Sequence, residues 1–357
     1  MLALLAAAAA AYMSWQAHAD AVTIGNTNGF ASDFQGTVWE PDRAIMHGLS
    51  PYSDPSQPLG PMPAVYLPPI FLASLPLAWF SLHVATWLWF ATLMAAAFAI
   101  LRVLGVRDPW CYAVFAVSLP VEQTLVLGNA TILVALGVAL AWRYRERPII
   151  GPLAVAATVA IKFWIWPLIV WLLITRPRAG GRAALMFAAL TLGAWALIGF
   201  DGFLHYPALI QAEGRRFAYA GSLFVPALVQ LHHTVGFAAA TGFLTGLLLL
   251  GLAWTRRSTE IEVFSLTLLA SLVATTVGWP HYLAVMAIPI IILYPRLAPA
   301  WLWFPGLWFA THLGPKPGQF EYSLPFCIFA ALPVFIVFAS SRASRRSLGA
   351  ESPAQAP

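Results

Sequence analysis

Acidic residues are scarce in this chain, 14 in 357, yet the stretch SDFQGTVWEPDRAIMHGLSPY (residues 32–52) holds Asp33, Glu40 and Asp42, with Asp54 close behind. A carboxylate in such a polar island suits a solvated loop, a binding site, or a base held over a membrane. In the last case desolvation raises its pKa and lets it accept a proton near neutral pH. Cations that could answer it come later. Lys162, in VAIKFWIWP, is an ionisable group inside an apolar stretch, a costly placement that calls for a function. It suits a point charge for a phosphate, and equally a lysine snorkelling to the interface beside Trp164 and Trp166. Arg215 and Arg216, in AEGRRFAY, form a guanidinium pair suited to bidentate phosphate recognition, or to anionic lipid. His281, in GWPHYLA, could donate a hydrogen bond to a leaving phosphate or serve as a structural interfacial histidine.

Composition names the solvent around these groups. Hydrophobic residues make up 60% of the chain and charged residues 9%, mean hydropathy is +0.77, and there are 16 Trp. That leaves too little polar surface for a soluble fold. Apolar runs of about 17–25 residues can cross a bilayer as helices, and they recur here with short polar breaks. The expected fold is therefore an all-α polytopic membrane protein. One membrane domain spans residues 1–341, and a polar tail, 342–357, is expected to be disordered.

The net charge of +5 comes from Arg far more than Lys and falls in clusters: Arg102 and Arg107; Arg143, Arg145 and Arg147; Arg176, Arg178 and Arg182; Arg256 and Arg257; Arg296; and Arg342, Arg345 and Arg346. By the positive-inside rule these mark cytoplasmic turns. Residues 16–64 carry five acids and the single cation Arg43, so that segment is placed outside. Nucleic acid is not implied. About twelve crossings result, near 1–15, 82–104, 110–126, 129–142, 149–161, 163–175, 183–200, 234–254, 261–277, 283–295, 298–313 and 323–340. The Pro-rich segments 65–80 and 223–233 read as re-entrant or interfacial, which requires a cavity to satisfy their backbone. The opening MLALLAAAAAAYMSW resembles a signal h-region, but without a basic n-region it reads as the first crossing. Cys111 and Cys327 fall at opposite faces, so no disulfide is expected.

No Gly-rich phosphate loop, CxxC pair, HExxH or GxSxG occurs. The adjacent His232 and His233 point to different sides of a helix and read as structural. No metal site and no cofactor are expected.

Taken in order, Asp33-Phe34, Gly48-Leu49-Ser50-Pro51-Tyr52, Tyr66-Leu67-Pro68-Pro69, Leu127-Gly128-Asn129-Ala130-Thr131, Ile161-Lys162-Phe163 and Trp279-Pro280-His281-Tyr282 make the chain resemble the polyprenol-phosphate-dependent glycosyltransferases of family 87, in the GT-C superfamily. Two motifs depart from that pattern: Gly128-Asn129-Ala130-Thr131 stands where the family commonly has Gly-Gln-x-Asn, and Lys162-Phe163 where it has Lys-Pro. The resemblance implies a GT-C-like bundle of about twelve transmembrane helices with an outer-face cavity, its first outside loop carrying short interfacial helices. It also implies inverting transfer of a sugar, mannose by family default, from a polyprenyl-phosphate donor to a glycolipid or glycan acceptor outside the bacterial cytoplasmic membrane. Asp33 takes the place of the base, with Asp42 as substitute. Lys162, Arg215, Arg216 and His281 would hold the donor phosphate. Asp42, paired with Arg43, would be structural or acceptor-binding, and Tyr52, Tyr66 and Asn129 would line the cavity.

A secondary transporter or lipid or glycan flippase would share the apolar, Pro-broken character. Transporters often carry internal repeats and midplane sites. This chain shows no evident repeat, and its unusual polar groups gather toward one face.

Overall fold

Prolines, glycines and Arg clusters punctuate the apolar runs, and in a computed structural model the helices begin and end at that punctuation. The structure describes residues 30–52, 64–312 and 320–350, and every regular element among them is helical. The first expected crossing and Asp54 lie outside the described residues.

Ser81 caps Leu82–Val103 by accepting from the Val84 amide. Asp108 caps Pro109–Ala116 through the Trp110 amide at 3.0 Å, and also accepts from the Leu297 amide, so one carboxylate ties two turns together. Pro at the first helical position, as in Pro109–Ala116 and Pro177–Ile198, forfeits only an N–H that would have no partner there.

Among the described residues, four helices are long and apolar enough to cross a membrane: Leu82–Val103, Pro177–Ile198, Val235–Thr255 and the apolar part of the last helix, Phe320–Ala343. Pro109–Ala116 and Leu119–Leu127, bent by 55°, make a fifth if taken as one span. The count of about twelve crossings is therefore not reproduced. Thr131–Arg143 has 13 residues and Ile150–Ile161 has 12. At about 1.5 Å per residue each covers roughly 20 Å, short of a hydrocarbon core of about 30 Å. Apolar composition alone cannot distinguish such a short buried helix from a full span. The last helix runs on to Ala350, past the expected start of the tail at residue 342.

The short helices give the molecule two ends. Arg176, after Pro167–Thr175, is bonded to Glu146, just before Ile150–Ile161. The chain therefore goes out along one helix and returns along the other, and Lys162 stands at the far tip. Thr131–Arg143 runs alongside, beginning near Lys162 and ending near Arg145. Its Gly137 allows the close approach: a Cβ there would lie 2.0 Å from Thr158 Oγ1.

Residues 30–52 fold over the tip. Ser32–Phe34, a π-helical turn Gln35–Trp39 and Glu40–Met46 make one continuous helical stretch. Glu40–Met46 packs on the 3-10 turn Leu75–Trp79 that ends the Pro-rich segment.

One sequence expectation fails here. Asp42 and Arg43 do not pair, because adjacent residues on a helix point to different sides. Arg43 reaches the Ala78 carbonyl at 3.4 Å and lies 5.5 Å from the Trp39 ring. Asp42 is 0% exposed, and neither carboxylate oxygen has a hydrogen-bond partner. Burial pushes its pKa up to about 8, offset only in part by the Ser74 hydroxyl, which is itself bonded to the Ile70 carbonyl. A carboxyl whose folded pKa lies above the ordinary value near 3.9 contributes stability fully below about pH 4, and loses it as pH rises through about 8. Asp42→Asn is therefore expected to melt a few degrees above the wild type at pH 8 and to show a flatter dependence of melting temperature on pH. Thermal unfolding across pH 5–8 in one detergent checks this; parallel curves would contradict it.

Candidate active site

The site is built where three chain segments meet at the tip. Leu119–Leu127 ends at Gly128, whose φ of +66° is a left-handed conformation that glycine adopts without strain. The backbone of Gly128 also lies against the helical segment that begins at Ser32: a Cβ there would be 2.8 Å from Phe34 Cβ and 3.1 Å from Ala31 Cβ. The Gly128 carbonyl accepts from Trp89 Nε1 at 2.7 Å, and Trp89 stacks on Phe34 at 5.2 Å. The Ala31 amide donates to the Val126 carbonyl at 2.7 Å. These contacts set Asp33 beside Asn129.

Asn129 joins the proposed base to the buried cation. Its Nδ2 donates to Asp33 Oδ2 at 2.6 Å, and its Oδ1 accepts from Lys162 Nζ at 2.7 Å. The Thr131 amide and hydroxyl also donate to Oδ1, at 3.0 and 2.7 Å. A backbone N–H can only donate, so it fixes which end of the amide faces Asp33. Lys162 Nζ donates to Thr131 Oγ1 as well, at 3.1 Å. Aromatic faces enclose the ammonium, with the Tyr282 ring at 4.7 Å and the Tyr66 ring at 5.1 Å. Trp164 stacks on Tyr282 at 4.8 Å with 6° between the planes.

Lys162 is thus a buried member of a polar network and does not snorkel. Asn129 and Tyr66, expected to line the cavity or meet the acceptor, stand in this network: Asn129 bonds Asp33 and Lys162, and the Tyr66 ring faces the Lys162 ammonium. Tyr52 supports them one step back: its hydroxyl donates to the Tyr66 carbonyl at 2.9 Å and its ring stacks on Trp195 at 4.8 Å.

Burial raises the Asp33 pKa, while the Asn129 hydrogen bond and the Lys162 charge pull it back toward the ordinary range. Both opposing contacts favour the ionised carboxylate. Asn129→Leu removes one contact directly and loosens the other. Transfer is expected to fall about 10- to 100-fold, by analogy with the loss of an orienting partner, and the rising limb of the pH–rate profile is expected to move to higher pH. An unmoved limb would show that Asn129 does not act through Asp33.

Beside this network lies a cavity of about 340 Å³, lined in part by Glu122, Gln123, Trp279, His281 and Tyr322. Its wall includes Val126 and Leu127, directly before Gly128 and Asn129. His281, one of the lining residues, is buried, and its Nε2 is an enclosed atom without a hydrogen-bond partner. Arg215 and Arg216 stand exposed on the last turn of Tyr206–Phe217, outside the Asp33–Asn129–Lys162 network, with Arg216 5.2 Å from the Phe217 ring.

Sequence reasoning missed Glu122, Gln123, Glu213 and Tyr322. Glu122, in LPVEQTLVL, carried a usable signal: an ionisable residue within an apolar run. Glu213 neighbours Arg216 on the same helix, and burial pushes its pKa up to about 7. Among the described residues no group of three His, Cys, Asp or Glu side chains is placed to hold a metal.

Long apolar helices surrounding a polar carboxylate–amide–ammonium chain at one end define a membrane protein with a buried polar site. Residues 64–278, more than half of the chain, match the model of glycosyltransferase family 87, and the chain belongs to that family. It is a membrane glycosyltransferase. The matched region holds Tyr66, Asn129, Lys162, Arg215 and Arg216, while Asp33 precedes it and His281 follows it. No curated protein and no solved structure matches the chain.

Proposed function

We propose that this glycosyltransferase moves a sugar from a polyprenyl monophosphate to an acceptor hydroxyl, with Asp33 as general base. The observation that carries the reading is the chain Asp33–Asn129–Lys162, in which one amide bridges a carboxylate and a buried cation. In the reaction the acceptor oxygen attacks the anomeric carbon as its proton passes to an Asp33 carboxylate oxygen. The new C–O bond forms while the bond from that carbon to the phosphate oxygen breaks, so the configuration inverts and polyprenyl monophosphate leaves with the electron pair. Lys162 stabilises the negative charge on the leaving phosphate, and His281 offers a hydrogen bond at the cavity wall. Arg215 and Arg216 would meet the phosphate from the exposed side.

The Arg-rich turns sit at the other end of the short helices, so the site faces outward across a bacterial cytoplasmic membrane under the positive-inside rule. A glycolipid or glycan on that side is the acceptor. Mannose is the family default for the sugar. Family membership favours this reading over a transporter or flippase. Membranes containing the protein, offered polyprenyl-phosphate-linked mannose, arabinofuranose or glucose, are expected to transfer one sugar well above the others. Transfer from none of them, with transfer from a nucleotide sugar instead, would overturn the proposal.

A further inference from the structure

At the end of the molecule opposite Asp33, a groove of about 460 Å³ is lined by five arginines, Arg145, Arg147, Arg176, Arg178 and Arg182, together with Glu146. Glu260, from the start of Glu260–Ala274, is joined to it by salt bridges. Five guanidiniums against two carboxylates leave a surplus of three positive charges. The inner part of the groove is organised. Arg176 bonds both Glu146 and Glu260, and Arg145 bonds Glu260 at 3.1 Å and the Trp142 carbonyl at 2.7 Å, with its guanidinium 4.2 Å from the Trp142 ring. Arg182 donates to the Pro148 carbonyl at 3.0 Å. Arg147 and Arg178 are exposed, and no hydrogen bond or ion pair joins their guanidiniums to another described residue.

We propose that this groove binds the phosphate headgroup of an anionic lipid from the cytoplasmic leaflet. Glu260 holds Arg145 and Arg176 in place, so a phosphate entering between Arg147 and Arg178 meets guanidiniums already ordered, where bidentate N–H to oxygen pairing is strong. A lipid fits better than a free anion because the rim continues into apolar surface. Ile149 and Ile150 directly follow Pro148 and are 61% and 50% exposed. Leu153, one turn further, and Leu173, just before Arg176, are also exposed, so acyl chains would lie along them while the headgroup sits on the arginines. Basic pockets between membrane helices on the cytoplasmic side recognise phosphate headgroups in this way.

The test uses the full chain purified in detergent, with bound lipid counted by native mass spectrometry against mixed phosphatidylglycerol and phosphatidylcholine. Wild-type protein is expected to retain phosphatidylglycerol in clear preference. The double variant Arg147→Gln/Arg178→Gln, which leaves the Glu260 bridges intact, should weaken that binding roughly 25-fold, about fivefold per guanidinium. A second arm follows the melting temperature with phosphatidylglycerol or inorganic phosphate at matched ionic strength. Stabilisation by the lipid alone supports the proposal. Equal stabilisation by inorganic phosphate, or unchanged lipid preference in the double variant, overturns it. Equal melting temperatures of the two proteins in phosphatidylcholine alone establish that the variant is folded.

Discussion

Asp33→Asn is expected to lower sugar transfer about 10²- to 10⁴-fold, the usual contribution of a positioned general base, while the protein inserts and folds normally. The substitution is close to isosteric, and the asparagine oxygen can still accept from Asn129 Nδ2, which now meets Asp33 at 2.6 Å. Burial raises the Asp33 pKa, so ionised carboxylate is costly in the folded protein and its removal should not lower the melting temperature. What the variant loses is a group able to take the acceptor proton. In the wild type, transfer should rise with pH as Asp33 ionises, and the variant should lack that limb. Rates on the same lipid-linked donor, with melting temperatures measured alongside, separate a lost base from a lost fold. Wild-type activity in Asp33→Asn would remove Asp33 from the chemistry.

The second large effect is expected at Lys162. Lys162→Met keeps an unbranched chain of similar length between the Tyr66 and Tyr282 rings, and Asn129 Oδ1 keeps both of its Thr131 donors. The fold should survive, since the deleted charge is a buried one that is expensive to hold. Transfer should drop about 10²- to 10³-fold, the typical cost of removing a group aimed at charge that develops in the transition state. The loss should fall mainly on kcat, because the phosphate gains charge as the sugar departs. The pH–rate limb should also move upward, because the Lys162 charge favours ionised Asp33. A change confined to KM would make Lys162 a ground-state anchor for the donor. No change would leave the leaving phosphate to His281 and the exposed arginines.

Much of the helical framework was legible in the sequence because its punctuation is local. The run 82–104 is the helix Leu82–Val103, and 163–175 is a 3-10 turn followed by Pro167–Thr175. The Arg clusters at 143–147 and 176–182 meet in one groove, although their hydropathy context could not show that Arg145, Arg176 and Glu260 bond one another. Lys162 stood out because a cation within VAIKFWIWP is costly. The number of crossings was not legible, since 12 or 13 apolar residues can form either part of a span or a short buried helix. The contact between Asn129 and Asp33 joins residues 96 positions apart, beyond any local periodicity. Asp42 and Arg43 show the opposite failure: adjacency suggested a pair that helix geometry separates.

The most direct test of the central claim reconstitutes the purified protein in liposomes with one polyprenyl-phosphate sugar and an acceptor, and follows both products. The account predicts one polyprenyl monophosphate released for each glycoside formed, with the anomeric configuration inverted relative to the donor. Retention of configuration, or glycoside formed without release of the lipid phosphate, would contradict it.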